Sequence, residues 1–272
     1  MRRGERGLYY VVLSLTVLGS LFPLLWLLLT SIKPKALTFA IPPAWVFTPT
    51  LENYRQVFVG GPFPKYFANS LLVSLCTVVI ALLAGTLAAY AFARFRFRGS
   101  RVLQVLLLIP QIIPPITIII PLFAIFRSVN LNDSPLSLII SYQTFTIPLV
   151  IWMMAGFIRD IPIELEESAM IDGASRWQAL WRVVLPLVMP GLAATAVLCL
   201  VYCWNEFLYA LILTGRDSRT VPVGISSFIT NRDILWGRIA AAGTVVLLPV
   251  MLFALAAQRH MVRGLSKGAI KG

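Results

Sequence analysis

Asp160, Glu164, Glu166, Glu167 and Asp172 place five of the chain's eleven acids within thirteen positions. Elsewhere charge is sparse, at 12% of residues overall, and Glu206 stands alone in a long apolar run. Enzymatic chemistry finds no constellation to work with. His260 is the single histidine, and Cys76, Cys199 and Cys203 sit in hydrophobic stretches without another soft ligand nearby. Neither a metal cluster nor a nucleophile and base is therefore expected, and no residue is assigned as catalytic. The run G-x-x-x-x-G-K-[ST] is absent, so the backbone cradle for nucleotide phosphates is missing and no cofactor is expected on this chain. What the residues can do is pair ions and hydrogen-bond, from one concentrated acidic segment and from one acid at membrane depth.

The setting explains the scarcity. Hydrophobic residues make up 58% of the 272, and the mean hydropathy of +0.84 exceeds what a soluble domain carries, so the chain needs lipid as its solvent. A bilayer core about 30 Å thick takes roughly 20 apolar residues per helix. Six stretches qualify: Leu8 to Ile32, Asn69 to Ala93, Val102 to Phe126, Leu136 to Ile158, Leu187 to Leu213 and Ile239 to Gln258. An all-α membrane protein with six transmembrane helices is the expected fold class. The first stretch is longer than the core of a signal peptide and lacks a clear small-residue cleavage site, so it is read as a permanent span.

An even number of spans puts both termini on one side. That side holds 14 of the 23 basic residues, including Arg94, Arg96, Arg98 and Arg101 in one short loop without an acid. The excess predicts cytoplasmic termini, N-in and C-in, and places the acidic segment in the cytoplasm. The +12 net charge thus reads as orientation, and no nucleic-acid partner is expected.

Within that segment, Pro162 and the acids at 164, 166 and 167 suit a helix N-terminus. Asp172-Gly173 supplies a stop, and Ser175 an N-cap for a second, amphipathic helix carrying Trp177, Leu180, Trp181 and Val184. Pro186 and Pro190 mark the start of the fifth span. The plain reading is a solvated loop. Against it, Ile163, Ala169, Met170 and Ile171 leave apolar side chains on a short exposed helix, and the small Ser168-Ala169 pair permits close approach of another backbone. A protein docking surface accounts for both.

At membrane depth, an ionisable group costs at least about 2.5 kcal/mol on insertion scales, so Glu206 either lines a pathway or bonds within the bundle. Trp204 and Asn205 beside it can stack on or hydrogen-bond to a sugar, or simply pack. Gln111 among Pro110, Pro114, Pro115 and Pro121, with Gln143 and Pro148 in the fourth span, predicts kinked helices beside a cavity or a bundle contact. Outside the membrane, Lys33 to Ala68 reads as an irregular proline- and aromatic-rich cap. Thr214 to Arg238 reads as turns followed by a short helix.

Glu167-Ser-Ala169, then Gly173, Val183 and Leu185-Pro186, at intervening spacings of three, nine and one, resembles the EAA motif of permease subunits in binding-protein-dependent ABC importers. Ser168 stands for the usual alanine and Val183 for isoleucine. Trp204-Asn-Glu-Phe207, Thr220-Val-Pro-Val-Gly224 and the ending Arg263-Gly-Leu to Lys271-Gly272 resemble the carbohydrate-uptake, MalG-like branch. The resemblance implies the type I importer permease fold, with an N-terminal span and cap over 1–68, a core over 69–260 and a cytoplasmic tail over 261–272.

It also implies a coupling loop over 159–190 that seats on a separate ATPase through Glu167, Ser168, Ala169, Asp172, Gly173, Leu185 and Pro186. Implied partners are a second, different permease subunit, two ATPase subunits holding ATP and Mg, an extracytoplasmic sugar-binding protein, and the lipid of a bacterial or archaeal cytoplasmic membrane. The solute would be a di- or oligosaccharide on a pathway that Trp204, Asn205, Glu206 and Gln111 are candidates to line. The loop 214–238 and the tail would touch partners. The alternative is an ion-coupled secondary transporter of a small polar solute. That alternative predicts buried ionisable pairs across several spans, where this chain offers Glu206 alone.

Overall fold

The computed structural model describes residues 3–231 and 233–268, with side chains described for 9–231 and 233–255. The named elements are all helices. In chain order they are α1 (Arg3–Ser31), α2 (Glu52–Phe58), α3 (Phe63–Arg94), α4 (Ser100–Ile112), α5 (Pro115–Ser128), α6 (Pro135–Arg159), α7 (Glu164–Ile171), α8 (Arg176–Ala179), α9 (Leu185–Asn205), α10 (Leu208–Leu213), α11 (Val221–Ser226) and α12 (Trp236–Gly268). Residues 261–268 thus continue α12 as backbone, and the side chains on which the tail expectation rests lie outside the described residues.

Five helical runs are long and apolar enough to cross a membrane: Tyr9–Ser31, Phe63–Arg94, Pro135–Arg159, Arg176–Asn205 and Trp236–Leu255. The expected third span is different in kind, being α4 and α5 joined at a 92° bend, and the count reaches six only if that pair is one span. The cause is local. A proline disfavours the helical region for the residue before it, and Ile113, before Pro114, takes φ −70° and ψ 134°. Pro115 then opens α5, where its missing N–H costs nothing. The fifth span also departs from expectation: it begins at Arg176 rather than Leu187 and ends at Asn205 rather than Leu213.

The chain forms two compact units, one of Met1–Lys65 with Gly224–Pro249 and one of Tyr66–Val223 with Val250–Gly272. In the first, Asn53 closes the C-terminal end of α1 by donating to the carbonyls of Ser31 (2.9 Å) and Lys33 (3.0 Å). Gln56 accepts from the Arg238 guanidinium at 2.8 Å, tying α2 to the start of α12.

The second unit is built around α6. Leu138, Tyr142, Thr146, Val150, Met154 and Ile158 are all inaccessible. A four-residue step over-rotates a helix by about 40°, so this row winds around α6 and requires neighbours on several sides. Those neighbours are α9, α10, α4 and α5. Close approach depends on small residues, as is usual between helices without a hydrophobic drive. A Cβ on Gly191 would stand 2.5 Å from the Phe157 ring, and one on Gly85 2.6 Å from Val150.

Candidate functional site

The acidic segment folds as α7, with Glu164, Glu166 and Glu167 in its first turn where the helix dipole favours negative charge. The helix stops at Gly173, which adopts φ +90°. Its N–H reaches Met170 O at 3.1 Å and the N–H of Ala174 reaches Ala169 O at 3.0 Å, so the last carbonyls are satisfied by a left-handed glycine turn. Nothing lies within 4 Å of where a Gly173 Cβ would be, so glycine is required by conformation and not by crowding. Ser175 then forms a capping box with Gln178.

The sequence-predicted coupling residues occupy this short stretch. Glu167, Ser168, Asp172 and Gly173 are exposed and Ala169 is half-buried. Around them stand large apolar side chains in solvent: Ile171 is 86% exposed, Trp177 57%, Leu165 46% and Ile163 45%. Ionic and apolar groups thus stand together on one open helix–turn–helix.

Leu185 and Pro186 are joined to that stretch more directly than the sequence indicates. A π-helical turn, Leu180–Val184, links α8 to α9, with the Leu185 N–H bonded to Leu180 O. Pro186 would clash with the carbonyl four residues back in a regular helix, and the widened turn relieves this. The amphipathic helix and the fifth span are therefore one run, Arg176–Asn205.

Sequence reasoning passed over Glu166. It is 3% exposed, and one carboxylate oxygen accepts from the Arg94 guanidinium while the other accepts from the Tyr90 hydroxyl at 2.8 Å. Arg94 also donates to Ile161 O at 2.9 Å. The only available signal was the spacing of Tyr90 and Arg94 by one turn at the end of α3, and their partner lies 72 residues beyond Arg94.

At membrane depth, Glu206 falls in a break between α9 and α10, with extended backbone at ψ 127°. Its carboxylate accepts from the amides of Tyr209 (2.9 Å) and Ala210 (3.1 Å) and from the Tyr142 hydroxyl (3.0 Å). It thereby serves as the cap of α10. Trp204 is 1% exposed and is met edge-on by Phe67 and Phe253, so its ring is a wall of the core. Asn205 is exposed and donates to Val201 O, and Gln111 is exposed one residue before the end of α4. A groove of about 610 Å³ runs along α4 and α6, lined by Val105, Leu108, Pro148 and Trp152, with Arg101 and Arg159 also in its lining; Gln111 and Gln143 do not line it.

Between α5 and α6, Asp133 accepts from the amides of Gly215, Arg216, Asp217 and Ser218 and from the Ser218 hydroxyl, all at 2.7 to 3.1 Å. Burial opposes its ionisation, but the donors outweigh it and hold the carboxyl well below the usual carboxylate range. Asn69 adds bonds to Asp217 O and Arg219 O. The start of the 214–238 segment is thus pinned, and α11 supplies its short helix.

Residues 78–267 match the family described as binding-protein-dependent transport system inner membrane component. The chain is 40% identical over 272 residues to the trehalose transport system permease protein SugB of Mycobacterium tuberculosis, covering 98% of this chain and 99% of that one. It is 34% identical to the trehalose/maltose transport system permease protein MalG of Thermococcus litoralis, covering 98% of each. Among solved structures, a bacterial ABC transporter involved in the import of the acidic polysaccharide alginate superimposes with a TM-score of 0.76 at 23% identity, over 95% of this chain and 98% of that one.

Proposed function

From the premise that the chain belongs to the binding-protein-dependent transport system inner membrane component family, we propose that it is the permease subunit of an ATP-driven sugar importer, coupled to a separate ATPase through α7. The observation that carries the coupling is the open acidic and apolar surface of α7 and α8, closed by a left-handed Gly173. The carrier for the solute class is similarity to permeases named for trehalose and for trehalose/maltose.

In this reading Glu167 pairs with a basic residue of the ATPase, Ile171 and Trp177 seat in its apolar cleft, and Ala169 allows the approach. ATP and Mg are held by the ATPase. When its two copies close, they draw α7 with them. The Arg176–Asn205 run, unbroken through its π turn, then carries the displacement into the membrane. A second, different permease subunit completes the pathway, and a binding protein delivers sugar on the far side, toward which the segment pinned by Asp133 is directed. The 14 basic residues on the α7 side support termini in the cytoplasm of a cell with this membrane as its inner boundary.

On the pathway, the exposed side chains of Asn205 and Gln111 are the groups placed to meet a sugar, Asn205 through the amide atoms not engaged at Val201 O. Glu206 and Trp204 hold the wall behind Asn205.

The test is reconstitution with a candidate ATPase, a second permease subunit and a sugar-binding protein from the same organism. Gly173→Asp is expected to abolish uptake while ATP hydrolysis continues; uptake at the wild-type rate would remove the coupling assignment.

A further inference from the structure

Two features of α7 pull in different directions. Its outer face is free, and its C-terminal turn at Gly173 touches nothing within 4 Å of the missing Cβ. Its N-terminal end is gripped. Arg94 and Tyr90, one turn apart at the end of α3, occupy both oxygens of Glu166, and Arg94 reaches past it to the carbonyl of Ile161 at the approach to α7. The side chains of Arg94 and Glu166 are 8% and 4% accessible.

Arg94 gives one guanidinium donor to the carboxylate and another to Ile161 O, and an ion pair withdrawn from water cannot separate without leaving a charge uncompensated. Tilting α7 against α3 would break both bonds to Glu166. The covalent chain offers no comparable link here, since seventy-two positions separate Arg94 from Glu166.

We propose that Arg94 and Glu166 are positioning residues that lock α7 to α3, so that displacement of α7 moves α3 as well as the Arg176–Asn205 run. This rests on the coupling reading above and adds a second route by which α7 drives the membrane helices. The adjacent acids then act on different faces of one helix, Glu167 toward the ATPase and Glu166 inward to α3.

The experiment uses the full assembled transporter. Spin labels on Glu164→Cys in α7 and Leu83→Cys in α3, both exposed positions outside the residues assigned to ATPase docking, report the α7–α3 separation before and after trapping with ATP and vanadate. In the wild-type background the separation is expected to stay constant. In Glu166→Gln it is expected to shift on trapping by more than the width of the wild-type distance distribution, with ATPase subunits still bound. The exchange Arg94→Glu with Glu166→Arg is expected to restore constancy.

Should Glu166→Gln fail to assemble, Arg94→Lys serves: it keeps the charge but loses the second donor to Ile161 O, and a smaller shift is expected. A separation as constant in these variants as in wild type would overturn the proposal. Failure of the coupling reading has a separate sign, since no ATPase subunit would then co-purify with the unaltered chain.

Discussion

Two short helices in this molecule begin beside a carboxylate, and they use it in opposite ways. At α10, Glu206 commits its oxygens to the helix's own amides and to Tyr142, and its neighbours Trp204 and Tyr209 are buried. At α7, Glu166 turns inward to Arg94 while Glu164 and Glu167 stay in solvent among exposed isoleucine, leucine and tryptophan. An acid in an apolar chain is therefore not a functional marker by itself. What separates the two is the company: at α10 the acceptors are saturated and the neighbours buried, as in a cap, and at α7 Glu164 and Glu167 stand in solvent beside exposed apolar groups, the arrangement on which the proposed docking rests.

The comparison can be broken most forcefully at Glu166. Replacing it by leucine leaves the Arg94 charge buried without a partner, and should cost about 3–5 kcal/mol, read as a lowered unfolding midpoint of the purified complex. Glu206→Ala removes the acceptor of two amides and a hydroxyl, all only part-buried, with an expected loss of about 1–3 kcal/mol in all. If Glu206 is only a cap, uptake per folded complex should be retained in Glu206→Gln, and a selective loss of uptake would move it onto the pathway.

Gly173→Ala places a side chain in the left-handed region and is expected to cost about 1–2 kcal/mol, confined to α7 and visible as faster amide exchange there. Asp133 extends the contrast to a third carboxylate. Its folded value is lowered, so its contribution is complete above the ordinary value of about 3.9 and is lost only as pH falls toward the folded one. The 214–219 segment should accordingly resist proteolysis at pH 5 as at pH 7, whereas Asp133→Asn should expose it at both. The smallest effect on stability belongs to Glu167→Gln, within about 0.5 kcal/mol of wild type, combined with loss of ATP-driven uptake.

Much of the coupling segment is legible in the chain because its signals are local. The acids of the first turn, Gly173 and the Ser175 cap each act over four residues or fewer and are found where the spacing places them, whereas Pro162 lies two residues before α7 rather than at its first position. The break in the third span is legible only in part. Pro114-Pro115 announces a disturbance, but whether it yields a kink or a 92° bend depends on what packs on either side. Pro186 looks like the boundary between two helices and is not one, since nothing in a sequence distinguishes a proline that ends a helix from one absorbed by a π turn.

Hydropathy alone, by the physics of lipid as solvent, determined that this chain is a bundle of apolar helices with one charged segment outside them, and spacing determined the shape of that segment. The tertiary structure decided which acids are free. Glu166 and Glu167 are neighbours of identical chemistry, and helical geometry turns them about 100° apart, so that one meets Arg94 and Tyr90 and the other meets solvent. No local rule contains that difference, because it depends on where the end of α3 lies, and long-range packing alone sets that.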